Sequence, residues 1–336
     1  MEKLHVGVVV NPSKLKDVAE FRGRVVSHVF SVDPDAQVSF YETTVEDPGF
    51  GQAQQAVSDG CSVVLAAGGD GTVRLVAAGL AHTDVALGIV PMGTGNLFAR
   101  NLDIPIDDLR GAIKVALTGE ALTADLGYLQ HGESLEDANK AKEEPFLVIA
   151  GFGFDAVIME NTNSKLKKAV GWLAYVVAGA KKIVGRGQSV DLELDGRSPK
   201  TLKARTVMIG NVGRLPGGIT LMPGADRSNG SLEILALDWK GAAGFSQILG
   251  QLVLPGGPKT LAKISNHRTF QAREAVVSTS KALPVQVDGD YVGNATHLVT
   301  RVDAGALLIR CARPARRRQS RAMSASRPAT KLRASS

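Results

Sequence analysis

The chain has 336 residues, 44% hydrophobic and 21% charged, the composition of a folded soluble protein long enough for two domains. Its formal charge of +6 is an effect of the tail: eight Lys/Arg and no Asp/Glu lie in residues 313–336, which leaves −2 on residues 1–312 and excludes a basic nucleic-acid-binding body. Two cysteines, Cys61 and Cys311, exclude a disulfide framework and fit a reducing cytosol, and the six histidines show no metal-ligand spacing that would argue for zinc.

Met1–Asn11 runs directly into a strand pattern without a signal-peptide core. His5–Val10 is a valine-rich buried parallel strand closed by Asn11-Pro12. A helix through Val29, a strand over Gln37–Tyr41 and a helix over Glu46–Ser58 follow. Ser62–Ala67 is a second buried strand that runs into Gly68-Gly69-Asp70-Gly71-Thr72 and a helix to Leu80. Val85–Val90 repeats the pattern, with Pro91-Met92-Gly93-Thr94-Gly95-Asn96 and a helix over Leu97–Asn101. This alternation predicts a doubly wound parallel α/β domain over residues 1–124.

After Ala124 the rhythm changes. Short strands are expected at Phe146–Ala150, Val190–Leu194, Thr206–Gly210, Leu232–Leu237, Val276–Thr279, Val285–Val287, His297–Val302 and Leu307–Arg310, joined by turns such as Asp195-Gly196 and Asn229-Gly230. They predict an antiparallel β-sandwich over 125–303, with a last strand at 304–312 returning to the first domain. Gly132–Glu144 reads as an exposed loop, Ser164–Val184 and Ala242–Val253 as helices, and 313–336 as a disordered basic tail. Ala169–Ala180 is the most apolar stretch and falls short of the roughly 18–20 residues that span a bilayer.

Three glycines in four positions at Gly68–Gly71 let backbone N–H groups approach phosphate oxygens at a helix N-terminus. Asp70 inside that loop would repel a bare triphosphate, and a divalent cation bridging it to the phosphates resolves the conflict. The bland alternative is a structural turn whose aspartate caps a helix. The second loop, Pro91–Asn96, follows the next strand, and Asn11 ends the first. In an open parallel sheet all three meet at the carboxyl edge, where ligands sit, which favours a nucleotide site. No Walker loop is present, and Arg74 stands where a dinucleotide fingerprint needs its third glycine.

These residues resemble the diacylglycerol kinase catalytic-domain family, which includes bacterial lipid kinases and the related sphingosine and ceramide kinases. The resemblance rests on Asn11-Pro12, Gly68–Thr72, Pro91–Asn96, Gly151–Ala156, Pro223-Gly224-Ala225 with Gly230-Ser231-Leu232, and Val287-Asp288-Gly289-Asp290, and covers about residues 5–311. It implies an NAD kinase/diacylglycerol kinase-like α/β domain that binds ATP, a β-sandwich for the lipid, and a cleft between them. It further implies that Asn11, Gly68, Gly69, Asp70, Gly71, Thr72, Gly93, Thr94 and Asn96 hold ATP and Mg²⁺, with Asp70 on the metal. Asp290, grouped with Asp288, would be the general base toward a lipid hydroxyl. From the residues alone, Asp288–Asp290 reads first as an ordinary Asp-Gly hairpin. Three departures bear on the acceptor and a second cation: Ser13-Lys14 lacks the usual Ser-Gly, Leu97 replaces a common Asp, and Arg227–Gly230 replaces Asp-Asp-Gly.

Lys165, Lys167, Lys168, Lys181 and Lys182 flank Ala169–Ala180, with Trp172 and Tyr175 on neighbouring positions. Such a helix either rests on an anionic membrane or packs on the sandwich with its lysines in water. The resulting expectation is a cytoplasmic lipid kinase peripheral to the inner membrane face. A soluble-metabolite kinase and a non-catalytic nucleotide-binding regulator are the competing expectations.

Overall fold

The computed structural model describes residues 3–152, 187–215, 219–239 and 267–312. The expected helices Ser164–Val184 and Ala242–Val253, the lysine-flanked stretch, Gly153–Ala156 and the basic tail lie outside the described residues.

The first half is built on four parallel strands, β1 (His5–Val10), β2 (Gln37–Glu42), β3 (Val63–Gly68) and β4 (Ala86–Pro91), in the order β2-β1-β3-β4. The near-continuous apolar runs of β1, β3 and β4 are buried on both faces, as a parallel sheet covered by helices requires. Alternate side chains sort to opposite sides. Val6, Val8, Leu65, Ala67 and Val90 join a core with α1 (Val18–Phe30) and α5 (Leu109–Thr118). Val9, Val64, Ala66, Leu87 and Ile89 join another with α2 (Phe50–Ser58), α3 (Asp70–Leu80) and α4 (Leu97–Asn101). The sheet is therefore doubly wound, with its strand order reversing at β1.

Two expectations are corrected here. The helix expected from Glu46 begins at Phe50, because Pro48 and Gly49 (φ 146°) form a turn in which Asp47 accepts the amides of Gly49 and Gly51. The expected loop Gly132–Glu144 contains a short helix, α6 (Leu135–Lys140), capped by Ser134. Its sequence hides it, since only Ala138 is buried.

The second half is a β-sandwich whose strands are continuous with the first sheet; among the described residues, 14 strands join one mixed sheet. One layer holds β7 (Ile149–Phe152), β10 (Thr206–Gly210), β13 (Leu232–Leu237) and β14 (His267–Ala272). The other holds β5 (Glu120–Gly132), β6 (Glu144–Phe146), β8 (Gln188–Leu194) and β9 (Lys200–Ala204). A small hairpin, β11 (Arg214–Leu215) with β12 (Ile219–Thr220), lies beside α4. Between the layers pack Leu129, Phe146, Phe152, Leu192, Ile209 and Ile234 among others.

Two long strands tie the layers together: β15 (Glu274–Val287) and β16 (Asp290–Cys311). β15 pairs with β8 through residues 275–279 and, after a register shift, with β7 through residues 285–287. The separate strands expected at Val276–Thr279 and Val285–Val287 are therefore one strand, as are those expected at His297–Val302 and Leu307–Arg310. β16 continues past a second irregularity at 303–307 to pair Ile309 with Leu87 of β4. No helix among the described residues is long and apolar enough to cross a membrane.

Candidate active site

β1, β3 and β4 are parallel and in register, so Asn11, Gly68–Thr72 and Pro91–Asn96 emerge at one edge of the sheet. The two glycine loops touch. Met92 N–H donates to the Gly68 carbonyl at 2.9 Å, and a Cβ on Gly93 would lie 2.9 Å from the Gly69 Cα. A Cβ on Gly68 would lie 2.5 Å from the Thr72 side chain, which folds back over it. Both glycines are thus required by close approach of backbone to its surroundings.

Gly69 is the N-cap of α3 and supplies no capping side chain, so the first-turn amides carry no intrahelical partner and no side-chain acceptor. That bare N-terminus, with its partial positive charge, suits a phosphate group. Asp70 lies in the same turn and is largely buried. Its Oδ1 accepts the Leu97 amide at 2.5 Å and so caps α4, while its Oδ2 lies 2.9 Å from where a Gly95 side chain would begin. Burial raises the Asp70 pKa above its ordinary 3.8, and the neighbouring Asp290 charge adds to the rise, against the pull of the α4 amides. Asp70 therefore caps α4 and not the helix it opens, which is where the capping alternative would have put it. Among the described residues no three His, Cys, Asp or Glu side chains gather. A lone carboxylate of this kind suits Mg²⁺ held chiefly through substrate phosphates and water.

Asn96 sits in the left-handed region (φ 48°) and closes a ring with Gly93, accepting its amide at 2.9 Å and donating to its carbonyl at 2.8 Å. It holds the shape of the second loop, and Thr94 is left exposed at the tip. Asn11 Oδ1 accepts the Ser13 amide and hydroxyl, which leaves its Nδ2 as the donor available at the edge.

From the second half, the β15–β16 turn reaches this edge. Asp288 (φ 47°) and Gly289 (φ 88°) form a two-residue turn in which Val287 pairs with Asp290. This is the Asp-Gly hairpin, and it also faces the cleft: a Cβ on Gly71 would lie 3.1 Å from Asp290 Oδ2. Asp290 is half exposed. Asp288 differs. It is buried, its oxygens accept the amides of Leu147, Val148 and Ile149 at 2.8–2.9 Å, and its own amide donates to the Ile149 carbonyl. Burial pushes its pKa up to about 6 against the lowering effects of Arg74 and those amides. With its oxygens taken by backbone, Asp288 is not free to take a proton from a substrate. Its geometry is that of a pin fixing the turn to β7, which departs from its expected grouping with Asp290.

Sequence reasoning passed over two residues here. Arg74, noted only as the residue spoiling a dinucleotide fingerprint, is buried and bridges α3 to the Val287 carbonyl and Asp290. Asp125, 1% exposed, accepts the amides of Gly230 at 2.7 Å and Gly305 at 2.8 Å, and so anchors the departing 227–230 segment. A charged residue inside an otherwise apolar run (Ala124–Leu126) was the available signal for Asp125.

Comparison with known proteins places two matches end to end. Residues 5–129 match the family model "Diacylglycerol kinase catalytic domain", and residues 148–311 match "YegS C-terminal NAD kinase beta sandwich-like domain". A diacylglycerol kinase from Mycobacterium tuberculosis is 32% identical over 180 residues, 53% of this chain and 56% of that protein. A diacylglycerol kinase from Bacillus subtilis is 26% identical over 297 residues, 85% of this chain and 89% of that protein. The chain spans about half the length of two of the curated relatives it matches (53% and 56%). A crystal structure of a diacylglycerol kinase from Bacillus anthracis superposes with a TM-score of 0.69 at 21% identity, over 93% of this chain and 98% of that one. At that identity the likeness speaks for the fold.

Proposed function

Because the chain belongs to the diacylglycerol kinase catalytic-domain family, we propose that it transfers the γ-phosphoryl group of ATP to the hydroxyl of a lipid alcohol, diacylglycerol or a sphingoid-like base. The supporting observation is the approach of Asp290 to Gly71, which sets an acid from the sandwich against the phosphate-binding turn of the α/β half.

In this reading the α3 amides, Asn11, Gly68, Gly69, Gly71, Thr72, Gly93, Thr94 and Asn96 form the ATP site. Asp70 Oδ2 would hold Mg²⁺, which when bound neutralises charge on the phosphate oxygens. Asp290 accepts the proton of the acceptor hydroxyl as its oxygen attacks the γ-phosphorus and the bond to the bridging oxygen of ADP breaks. Positioning and charge neutralisation supply most of the rate enhancement in such transfers, and a modest base suffices. A lipid acceptor brings the enzyme to a membrane surface, as a peripheral cytoplasmic protein.

The test is to incubate the pure protein with γ-labelled ATP, Mg²⁺ and dispersed diacylglycerol, sphingoid bases, NAD and sugars. Label in a chloroform-soluble product is expected. Label confined to a water-soluble product would make this a metabolite kinase, and nucleotide binding without transfer would make it a regulator.

A further inference from the structure

We infer that Arg74 is a positioning residue, whose buried guanidinium ties the glycine-loop helix to the 287–290 turn and aims the Asp290 carboxylate at the phosphate cradle. The inference rests on the kinase reading above. Arg74 follows Asp70 by four residues, so both stand on one face of α3. It is only 6% exposed, yet its partners are sparse: the Val287 carbonyl at 3.4 Å, Asp290 Oδ2 at 3.3 Å, and none for Nε among the described residues.

As a source of stability this is a poor arrangement. The bonds are long, the carboxylate is half exposed, and a buried ion pair offsets its desolvation only with good geometry. As a geometric device it is effective, because a planar fork with two fixed acceptors sets direction as well as distance. One arm holds the backbone just before the turn and the other the carboxylate just after it. Among the described residues the Asp290 carboxylate has no other hydrogen-bond partner, so Arg74 alone orients it. The same guanidinium favours the ionised form of the Asp288 pin. In this role Arg74 joins the nucleotide half to the acceptor half across the cleft and acts through Asp290.

The experiment compares wild type with Arg74→Met, Arg74→Lys, Asp290→Asn and the Arg74→Met/Asp290→Asn double variant. Arg74→Met should lower kcat roughly 10- to 100-fold, the scale of a displaced catalytic group, with KM for ATP and lipid changed by less than about twofold. Arg74→Lys keeps the charge but reaches one acceptor, so it should recover part of kcat. It also serves as the readable variant if the methionine protein fails to fold. In single-turnover assays the double variant should be no slower than Asp290→Asn, since the arginine acts through that carboxylate. Amide hydrogen exchange at residues 287–291 of the substrate-free protein should speed up in Arg74→Met, which reads the tether independently of any activity. An unchanged kcat with active wild type, a loss of ATP binding, or multiplicative effects in the double variant would each overturn the inference and leave the kinase reading standing. Wild type inactive on every lipid, with exchange at 287–291 still dependent on Arg74, would sink the kinase reading and retain the tether.

Discussion

At residue 290 one carboxylate carries the proposed proton transfer, so Asp290→Asn should lower kcat by about 10²–10⁴-fold with ATP affinity unchanged; equilibrium binding and steady-state assays check both. Asp288, two residues away, should behave as a structural acid. Its folded pKa of about 6 lies above its ordinary 3.8, so the folded protein binds this proton more tightly than the unfolded chain. The stability it contributes is whole below about pH 4 and lost as pH rises through about 6. The melting temperature of wild type, taken relative to Asp288→Asn, should fall across that window and level off above pH 7. A constant difference from pH 4 to 7 would contradict it. The contrast between the two acids was not legible in Val-Asp-Gly-Asp, because what separates them lies elsewhere: amides 139–141 residues away for Asp288, and an arginine 216 residues away for Asp290. The glycine loops were legible because each directly follows a buried apolar run, which puts it at the carboxyl edge of a parallel sheet, where ligands sit.

At the scale of elements, the two glycine loops act as one unit, and their glycines are not equivalent. A Cβ on Gly69 would meet the Gly93 Cα at 3.5 Å, ordinary contact at an extended backbone (φ −88°). Gly69→Ala should therefore hold its melting temperature while its methyl group intrudes on the cradle and weakens ATP binding. Gly93→Ala meets both Gly69 Cα and Asn96 Oδ1 at 2.9 Å, and should cost about 1–3 kcal/mol of stability as well as nucleotide affinity. Calorimetry and nucleotide titration separate the two outcomes. The elements legible in the sequence were those buried on both faces, such as β1, β3, β4, β10 and β13. Some of those missed face water or carry few core residues. β9 (KTLKA) buries two residues and β14 (HRTFQA) one, so neither shows an apolar run. α5 buries Ala112, Ile113 and Ala116, but ten residues with three small or medium core positions show the helical period only weakly.

In the whole molecule, the junction between halves is held by polar contacts that close over long sequence distances. Asp125 bonds Gly230 and Gly305, and its carbonyl accepts the Asn211 side chain at 2.9 Å. Asp125→Ala would take the acceptor from the half-buried Gly230 amide and the exposed Gly305 amide, where water replaces part of the bond, and should cost roughly 1–3 kcal/mol in all. A drop of about 1–4 °C in melting temperature is expected, and a melt within about 0.5 °C of wild type, worth under about 0.4 kcal/mol at about 2.1 cal/mol/K per residue, would refute the anchoring role. Nearby, His82 meets Asp303 at 2.9 Å, which fixes the end of α3 to the bend in β16. β16 itself begins at the acid of the cleft and ends beside β4 in the parallel sheet. A ribosome therefore delivers the last member of the nucleotide half only after the whole sandwich has been synthesised. Until then β4 presents an unpaired edge, and the first half cannot finish maturing ahead of the second during translation.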